Sequence, residues 1–335
     1  MNKLEATILN STPVRLLRSW SKRITLPGFG GVPLYDVVVF FISQMNKVGL
    51  NDRAASISFN FLMAIPAATI FLCTLIPYMP ISTEITVQLL ELTKSVAPNE
   101  NTYAVVANFL NDFLNTPRSG LLSFGFIVAA FYSSNALMGI MRSFNLSLHQ
   151  QKERGFFSER WTAIKLTTIL ILLLISTITL IVFQGEFFGY VMTRLNITNQ
   201  FTRQVIFSFK TIIIILLVLY SIGIIYKYAP AVTKRWRLAS PGAIFATFLV
   251  VLTTYLFSFY VNNFGAYNKV YGSIGTIMIL MFTIYINSLI LLIGYELNVC
   301  IHSLRALAEE RENEDKRTVV IPHRSDPRPE NEGKT

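Results

Sequence analysis

The chain has 335 residues, of which 52% are hydrophobic and only 14% are charged. Soluble domains carry about 25% charged residues, so a soluble protein of this composition would lack the polar groups to cover its surface. The composition also excludes an intrinsically disordered chain, and the two cysteines exclude a disulfide-stapled secreted module. We therefore expect an integral membrane protein.

The chain begins with an arm, residues 1–57, that precedes the first long apolar segment. Within the arm, residues 34–48 mix apolar positions with Asp36, Ser43 and Lys47. This pattern predicts an amphipathic helix, which either lies on the membrane surface or is a short buried helix.

Six later segments are long and apolar enough to cross a bilayer, which takes about 20 helical residues. The segments are 58–78, 120–141, 161–183, 205–226, 241–261 and 272–297. Residues 58–298 are thus predicted to form an all-α domain of six transmembrane helices. The connection 79–119 is predicted to hold two amphipathic helices, 84–96 and 103–114, on the outer side. The charged, proline-bearing residues 299–335 are predicted to be a disordered tail.

Lysine and arginine are distributed unevenly between the two sides of these segments. Twenty-two of them fall in the arm, the second and fourth connections and the tail, whereas five fall on the opposite side. Basic residues are retained in the cytoplasm, so both termini are predicted to be cytoplasmic. The same distribution explains the net charge of +10 without a nucleic-acid partner.

Enzymatic motifs are not evident in the sequence. The chain has three histidines, and it shows no His-Glu-x-x-His, paired Cys-x-x-Cys, phosphate-binding loop or Gly-x-Ser-x-Gly elbow. We therefore predict no catalytic residue, no metal site and no cofactor.

Polar residues inside the apolar segments are the more informative feature, because each is costly in lipid unless it faces the interior. In the sixth segment, small and polar residues recur every four or seven positions and so share one helix face. That face suits either close helix packing or the lining of a substrate path. Pro66 is read either as a kink in a packed helix or as a break that lines a solute site. The candidate lining residues are Asn60, Pro66, Tyr132, Ser134, Asn135, Thr283 and Asn287.

Two specific contacts are predicted from these residues. Asn60, Asn135 and Asn287 are expected to point into one shared interior cavity, because hydrocarbon cannot satisfy an amide. Glu296 is expected to form a structural ion pair with Arg53 or Arg142, with a proton relay as the alternative.

Several motifs stand out along the chain. They include Arg53-Ala-Ala with the later Ile65-Pro66, Tyr228-Ala-Pro230, the run 236–243 and Gly294-Tyr-Glu-Leu-Asn298. The most specific is the string 260–272, which contains Asn263, Gly265, Tyr267, Asn268, Tyr271 and Gly272. Together these motifs resemble those of the YihY/BrkB family of bacterial inner-membrane proteins, and the resemblance covers residues 50–300. It implies an inner-membrane protein connected with serum resistance and the export of envelope lipids, and an old ribonuclease BN label that is regarded as a misassignment.

These observations lead to one main functional hypothesis and two alternatives. The main hypothesis is an inner-membrane transporter or flippase-like exporter of an amphiphilic or lipid-linked substrate, with membrane lipids as its partners. The alternatives are a scaffolding membrane protein and a membrane-bound hydrolase or nuclease. A cavity open to one leaflet would favour the first, and a dry, closed bundle the second.

Overall fold

The computed structural model describes most of the chain. It covers residues 25, 28–45, 48–78, 82–96, 100–148, 154–194, 200–232, 235–263 and 266–320. Within these ranges only the backbone is described for 178–194, 200–210, 260–263, 266–277, 313–320 and scattered positions between 76 and 115. The described residues contain helices and no strand.

Nine α-helices and one short 3-10 helix, Ile76–Tyr78, follow one another along the described residues. They are α1 (Leu34–Met45), α2 (Leu50–Leu75), α3 (Ser82–Val96), α4 (Glu100–Asn115), α5 (Ser119–Asn145), α6 (Phe156–Arg194), α7 (Gln200–Tyr228), α8 (Pro241–Asn263) and α9 (Ala266–Val320). Six of them, α2 and α5 to α9, have stretches long and apolar enough to cross a membrane. The prediction of an all-α chain with six membrane-spanning helices is confirmed.

Pro66 lies inside α2, and the helix continues through it without interruption. Its side chain is exposed rather than directed at the interior. The broken-helix interpretation of Pro66 is therefore wrong, since the helix around it supplies enough backbone hydrogen bonds to tolerate the missing one. The nearby Thr69 hydroxyl donates to the Ile65 carbonyl at 2.9 Å, another local bond within the same helix.

The connection between α2 and α5 contains α3 and α4, which confirms the two helices predicted there. These helices contact each other, and α4 also contacts α2. Thr86 of α3 and Ala107 of α4 are buried. Val87 and Val105 nevertheless remain exposed. The apolar faces of α3 and α4 are thus only partly covered by the described residues.

The chain divides into two compact units, Met45–Glu296 and Met1–Gln44 with Leu297–Thr335. In the larger unit, consecutive membrane-spanning helices pack side by side: α2 on α5, α5 on α6, α6 on α7 and α7 on α8. Because neighbouring helices run in opposite directions, α2 begins where α5 and α7 end. We call this end of the larger unit the basic end; it contains Arg53, Arg142, Arg154, Arg160 and Arg235.

Close helix approach in the larger unit centres on Gly294. A Cβ atom there would lie 2.5 Å from the Tyr226 hydroxyl and 2.6 Å from the Gly242 carbonyl oxygen. Beside it, the rings of Phe144 and Tyr295 are stacked with their centroids 3.7 Å apart. Tyr226 donates to the Leu291 carbonyl at 2.6 Å. Helices α5, α7, α8 and α9 are thereby joined at the basic end.

The smaller unit is built on a core of Phe29, Val32, Val37 and Ile301. Arg305 donates to the Phe29 carbonyl at 3.1 Å and also to the Gly28 carbonyl. On α1, Val37 is fully buried, whereas Val38, Val39 and Ile42 are exposed. Helix α1 therefore presents apolar side chains on more than its packed face.

Helix α9 extends to Val320 and therefore includes residues 299–320. These residues were predicted from the sequence to belong to a disordered tail. The reason is local. Residues 303–319 are rich in leucine, alanine, glutamate and arginine, which favour helix, and the next helix-breaking residue is Pro322. Residues 321–335 lie outside the described part of the chain.

Candidate functional site

An apolar cavity of about 500 Å³, partly open to the surface, lies in the larger unit between α2, α5, α6, α7, α8 and α9. Its walls are mainly leucine, isoleucine and valine side chains from α5 to α9, and α2 contributes Phe61. A minority of polar side chains also reaches it: Thr177, Ser221, Thr283, Asn287 and Ser288. We call this space the interior cavity.

The polar residues of the interior cavity are satisfied by their own helices. Thr283 donates to the Ile279 carbonyl at 2.8 Å, and Asn287 donates to the Thr283 carbonyl at 2.9 Å. Ser288 bonds to the Ile284 carbonyl in the same way. The cavity therefore holds polar groups without an unpaired-donor penalty, while the Asn287 amide retains a second donor and an acceptor for a further partner.

A second, polar cavity of about 470 Å³ lies at the basic end between α2 and α5. Its lining is Asp52, Arg53, Ser56, Asn60, Asn135, Met138, Gly139, Arg142, Ser143 and Leu146. Asn60 donates to the Ser56 carbonyl at 2.8 Å, and the Asn135 side-chain oxygen accepts from Arg160. The Arg160 guanidinium also lies over the Phe131 ring, 4.3 Å from its centroid. We call this space the polar cavity.

The three asparagines do not share one site. Asn60 and Asn135 line the polar cavity, whereas Asn287 lines the interior cavity. The prediction of a shared cavity is therefore wrong. Asn60 and Asn287 each bond to a carbonyl four residues earlier in their own helix, so neither needs another amide.

A buried ion pair lies next to the polar cavity. Arg53 Nη1 is 3.1 Å from Glu296 Oε1, and the two side chains are 8% and 0% exposed. Of the two arginines considered as partners for Glu296, Arg53 makes this contact, while Arg142 lies 3.6 Å from Glu159 Oε1. A buried pair of this kind must be supported by further hydrogen bonds to offset the cost of desolvating two charges.

Helix α5 and the turn that follows it supply that support. Arg53 Nη2 donates to the Ser143 carbonyl and, at 2.8 Å, to Ser147 Oγ. Ser147 in turn donates to Glu296 Oε1. These serines were not singled out in the sequence, because a serine near a helix end carries no signal of a partner on a distant helix.

The neighbourhood of the pair also contains buried polar atoms without a partner among the described residues. They are Arg53 Nε, Glu296 Oε2, the Tyr295 hydroxyl and Trp236 Nε1. The rings of Trp236 and Tyr295 are 5.2 Å apart, and the Tyr295 hydroxyl interacts electrostatically with both Glu296 and Arg53. Buried polar groups without a partner are rare and often mark functional sites. In the sequence, this region corresponds to two of the motifs that carry the family resemblance. One is Gly294-Tyr-Glu-Leu-Asn298, and the other is the run 236–243, which begins with Trp236.

Arg154 adds positive charge to the basic end. It donates to the Ala229 and Pro230 carbonyls at 3.1 and 3.0 Å. Burial and the nearby Arg235 lower the pKa of the Arg154 guanidinium, which Glu159 partly opposes. The guanidinium remains charged, because arginine is not deprotonated in proteins.

Tyr132 and Ser134 line neither of the two cavities. Ser134 is buried and donates to the Phe131 carbonyl at 2.8 Å, and the Tyr132 ring meets the Phe131 ring edge-on at 5.6 Å. Asn263 of the family motif is the last residue of α8. The first turns of α9 contain Tyr267, Asn268, Tyr271 and Gly272, and only the backbone is described there. Gly265 lies outside the described residues. In the ranges with described side chains, no three His, Cys, Asp or Glu residues are placed to hold a metal ion.

Comparison with known proteins identifies the family of the chain. The family model described as virulence factor BrkB matches residues 41–319. The chain belongs to this BrkB family.

Two relatives show how far the similarity to this BrkB family member extends. The ribonuclease-like protein YfkH of Bacillus subtilis (strain 168) is 31% identical over 259 residues, which cover 77% of this chain and 92% of YfkH. The UPF0761 membrane protein PSHAa0171 of Pseudoalteromonas translucida (strain TAC 125) is 38% identical over 77 residues, 23% of this chain and 26% of that protein. No solved structure matches the chain significantly.

Proposed function

We propose that this BrkB family member is a flippase-like transporter that exports an amphiphilic or lipid-linked substrate across the bacterial inner membrane. The interior cavity is the observation that carries the proposal. Its volume of about 500 Å³ falls within the range of small-molecule sites, about 300–1,000 Å³. Apolar walls suit acyl chains, and the few polar side chains of α9 suit a polar group that moves with them.

The positions of the polar side chains support a substrate path along α9. Thr283, Asn287 and Ser288 lie within two turns of this helix and all line the interior cavity. Their hydroxyl and amide groups donate to carbonyls of the same helix. A polar group that moves through the cavity exchanges hydrogen bonds with these side chains. This lowers the free-energy barrier that a purely hydrocarbon path would present to it.

The orientation is part of the same proposal. The basic end faces the cytoplasm, and both termini are cytoplasmic, because basic residues are retained on that side during insertion. In this proposal the chain performs no enzymatic step during transport. The word ribonuclease-like in the name of YfkH is not applied to this chain.

A scaffolding role is the second candidate, and one observation favours it. Each polar side chain lining the interior cavity whose bonds are described is bonded within its own helix, as expected for residues that only tune helix packing. The two candidates differ in whether changing the cavity lining changes lipid movement.

The test is lipid translocation by the purified full-length protein in proteoliposomes. The rate at which a fluorescent phospholipid becomes accessible to a membrane-impermeant quencher is measured for the Thr283→Leu variant. We expect the rate to fall about fivefold to thirtyfold, because one or two hydrogen bonds of about 1 kcal/mol each are lost to the moving polar group.

Thr254→Leu is the matched control. Thr254 is exposed and bonds to the Val250 carbonyl at 2.8 Å, as Thr283 bonds to the Ile279 carbonyl, but it does not line the interior cavity. Its rate should equal that of the wild type. Equal rates for both variants and the wild type would reject transport through this cavity and support the scaffolding role.

A further inference from the structure

We infer that the interior cavity selects its substrate by charge, and that the polar group it accepts is uncharged and rich in hydroxyls, as in a glycolipid. This inference rests on the proposed function, because it names the substrate class of the same cavity. A lipid with a sugar headgroup is then the faster substrate, and a phospholipid is the slower one.

The described residues that line the interior cavity include no charged side chain. An ionised phosphate that entered this space would lose its water shell and find no guanidinium or ammonium group in exchange. The free-energy cost of an unpaired charge in apolar surroundings is far larger than that of an unpaired hydroxyl. The cavity therefore discriminates against a charged headgroup through its walls alone.

The arginines nearest to the polar cavity do not compensate for this lack of charge. Arg53, Arg142 and Arg160 lie at the basic end, and none of the three lines the interior cavity. Arg53 is paired with Glu296, and Arg160 donates to the Asn135 side chain. A phosphate inside the interior cavity would therefore not be neutralised by these guanidinium groups.

The polar side chains of α9 suit hydroxyl groups instead. Asn287 uses one N–H for the Thr283 carbonyl and keeps a second N–H and its side-chain oxygen. The Thr283 and Ser288 hydroxyls donate to carbonyls of their own helix, and their oxygens can still accept a bond. A substrate hydroxyl both donates and accepts, so it can bond to any of these groups. An ionised phosphate only accepts, so it would leave most of these oxygens without a donor.

Polar side chains reach the interior cavity from two further helices. Thr177 belongs to α6 and Ser221 to α7. Their hydroxyls donate to the carbonyls four residues earlier, at 2.7 and 2.9 Å, and each oxygen can still accept a bond. A sugar ring presents hydroxyls around its whole edge and can therefore bond to all three helices together. The volume of about 500 Å³ is that of a small-molecule site, which favours a single sugar unit over a long saccharide chain.

The experiment compares two lipids in phosphatidylcholine vesicles that contain the full-length protein. Monoglucosyl diacylglycerol and phosphatidylglycerol carry the same fluorescent acyl chain, and both headgroups bear hydroxyls, but only the second has a charged phosphate. Accessibility to a membrane-impermeant quencher gives the two translocation rates, each corrected for protein-free vesicles. We expect the glucolipid to move at least about tenfold faster, because roughly half of the cost of a charge inside a membrane already corresponds to that ratio.

A positive charge added to the lining should remove the selectivity. Thr177 is half-buried and lines the interior cavity, so Thr177→Lys supplies the cation that the walls lack. We expect phosphatidylglycerol to move as fast as the glucolipid in this variant. Thr177→Met is the matched control, because methionine has a similar length and no charge. It should keep the preference for the glucolipid.

The outcomes that overturn the inference are equally specific. Equal rates for the two lipids in the wild type, or faster movement of phosphatidylglycerol, reject it, and this comparison decides the matter even if Thr177→Lys does not fold. A folded Thr177→Lys variant that leaves phosphatidylglycerol as slow as in the wild type also rejects it. If the wild-type rates are equal and Thr283→Leu slows both lipids, charge selection falls and the proposed transport stands. If neither lipid moves faster than in protein-free vesicles, the proposed transport falls and this inference falls with it.

Discussion

Replacing Glu296 with alanine is expected to lower the free energy of unfolding by about 3–5 kcal/mol. The substitution leaves the Arg53 guanidinium buried beside α5 with no carboxylate, and a buried charge without a partner is among the most costly defects in a protein. The bonds from Arg53 to Ser143 and Ser147 compensate for only part of that loss. Reversible unfolding of the purified protein in mixed detergent micelles measures the effect.

The double replacement Arg53→Met with Glu296→Leu should be far milder, within about 1 kcal/mol of the wild type. It removes both charges and fills the space with apolar side chains of similar size, which can be neutral or stabilising. Asp112→Ala is the control for a carboxylate in an exposed pair. Asp112 is 60% exposed and should contribute less than about 1 kcal/mol. A Glu296→Ala variant as stable as Asp112→Ala would contradict the assignment of a buried pair.

Gly294→Ala is expected to destabilise the protein by about 1–3 kcal/mol, the usual cost of overpacking. The added Cβ would approach the Gly242 carbonyl oxygen to 2.6 Å and the Ala246 Cβ to 2.7 Å. Neither atom can move without shifting the backbone of α8. The variant should unfold at lower denaturant concentration, with the loss located at the contact between α8 and α9.

Gly120→Ala provides the matched control. Gly120 lies in the first turns of α5, and a Cβ there meets nothing within 4 Å. Alanine is the better helix former, so this variant should be neutral or stabilised by about 0.5–1 kcal/mol. If both glycine variants lose the same stability, the close approach at Gly294 is not what limits substitution there.

The membrane-spanning helices were predictable because their signal is local. A run of about 20 apolar residues is visible within one window, and α2 and α5 to α9 all contain one. The residues at which these helices begin and end were harder to predict. Helix α2 begins at Leu50, before the apolar run, because Arg53, Ala54 and Ile57 are buried by neighbouring helices.

The candidate site was only partly predictable, since it depends on which helix faces which. Asn287 and Thr283 were identified from their shared face on α9, and both line the interior cavity. The asparagines of α2 and α5 were placed correctly inside their helices but assigned to the wrong cavity. Sequence spacing fixes a helix face, whereas the rotation of one helix against another is set by packing such as that at Gly294.

The most direct test of the central claim, that the interior cavity accepts an amphiphile, is photo-crosslinking. A phospholipid with a photoreactive acyl chain is incorporated into nanodiscs with the full-length protein, and the labelled residues are mapped by mass spectrometry. Labelling of two residues that line the cavity, the buried Ile222 and the half-buried Leu291, is the predicted result, and excess unlabelled lipid should reduce it. Labelling confined to outward-facing residues such as Leu172 and Phe248, which are 58% and 61% exposed, would contradict it.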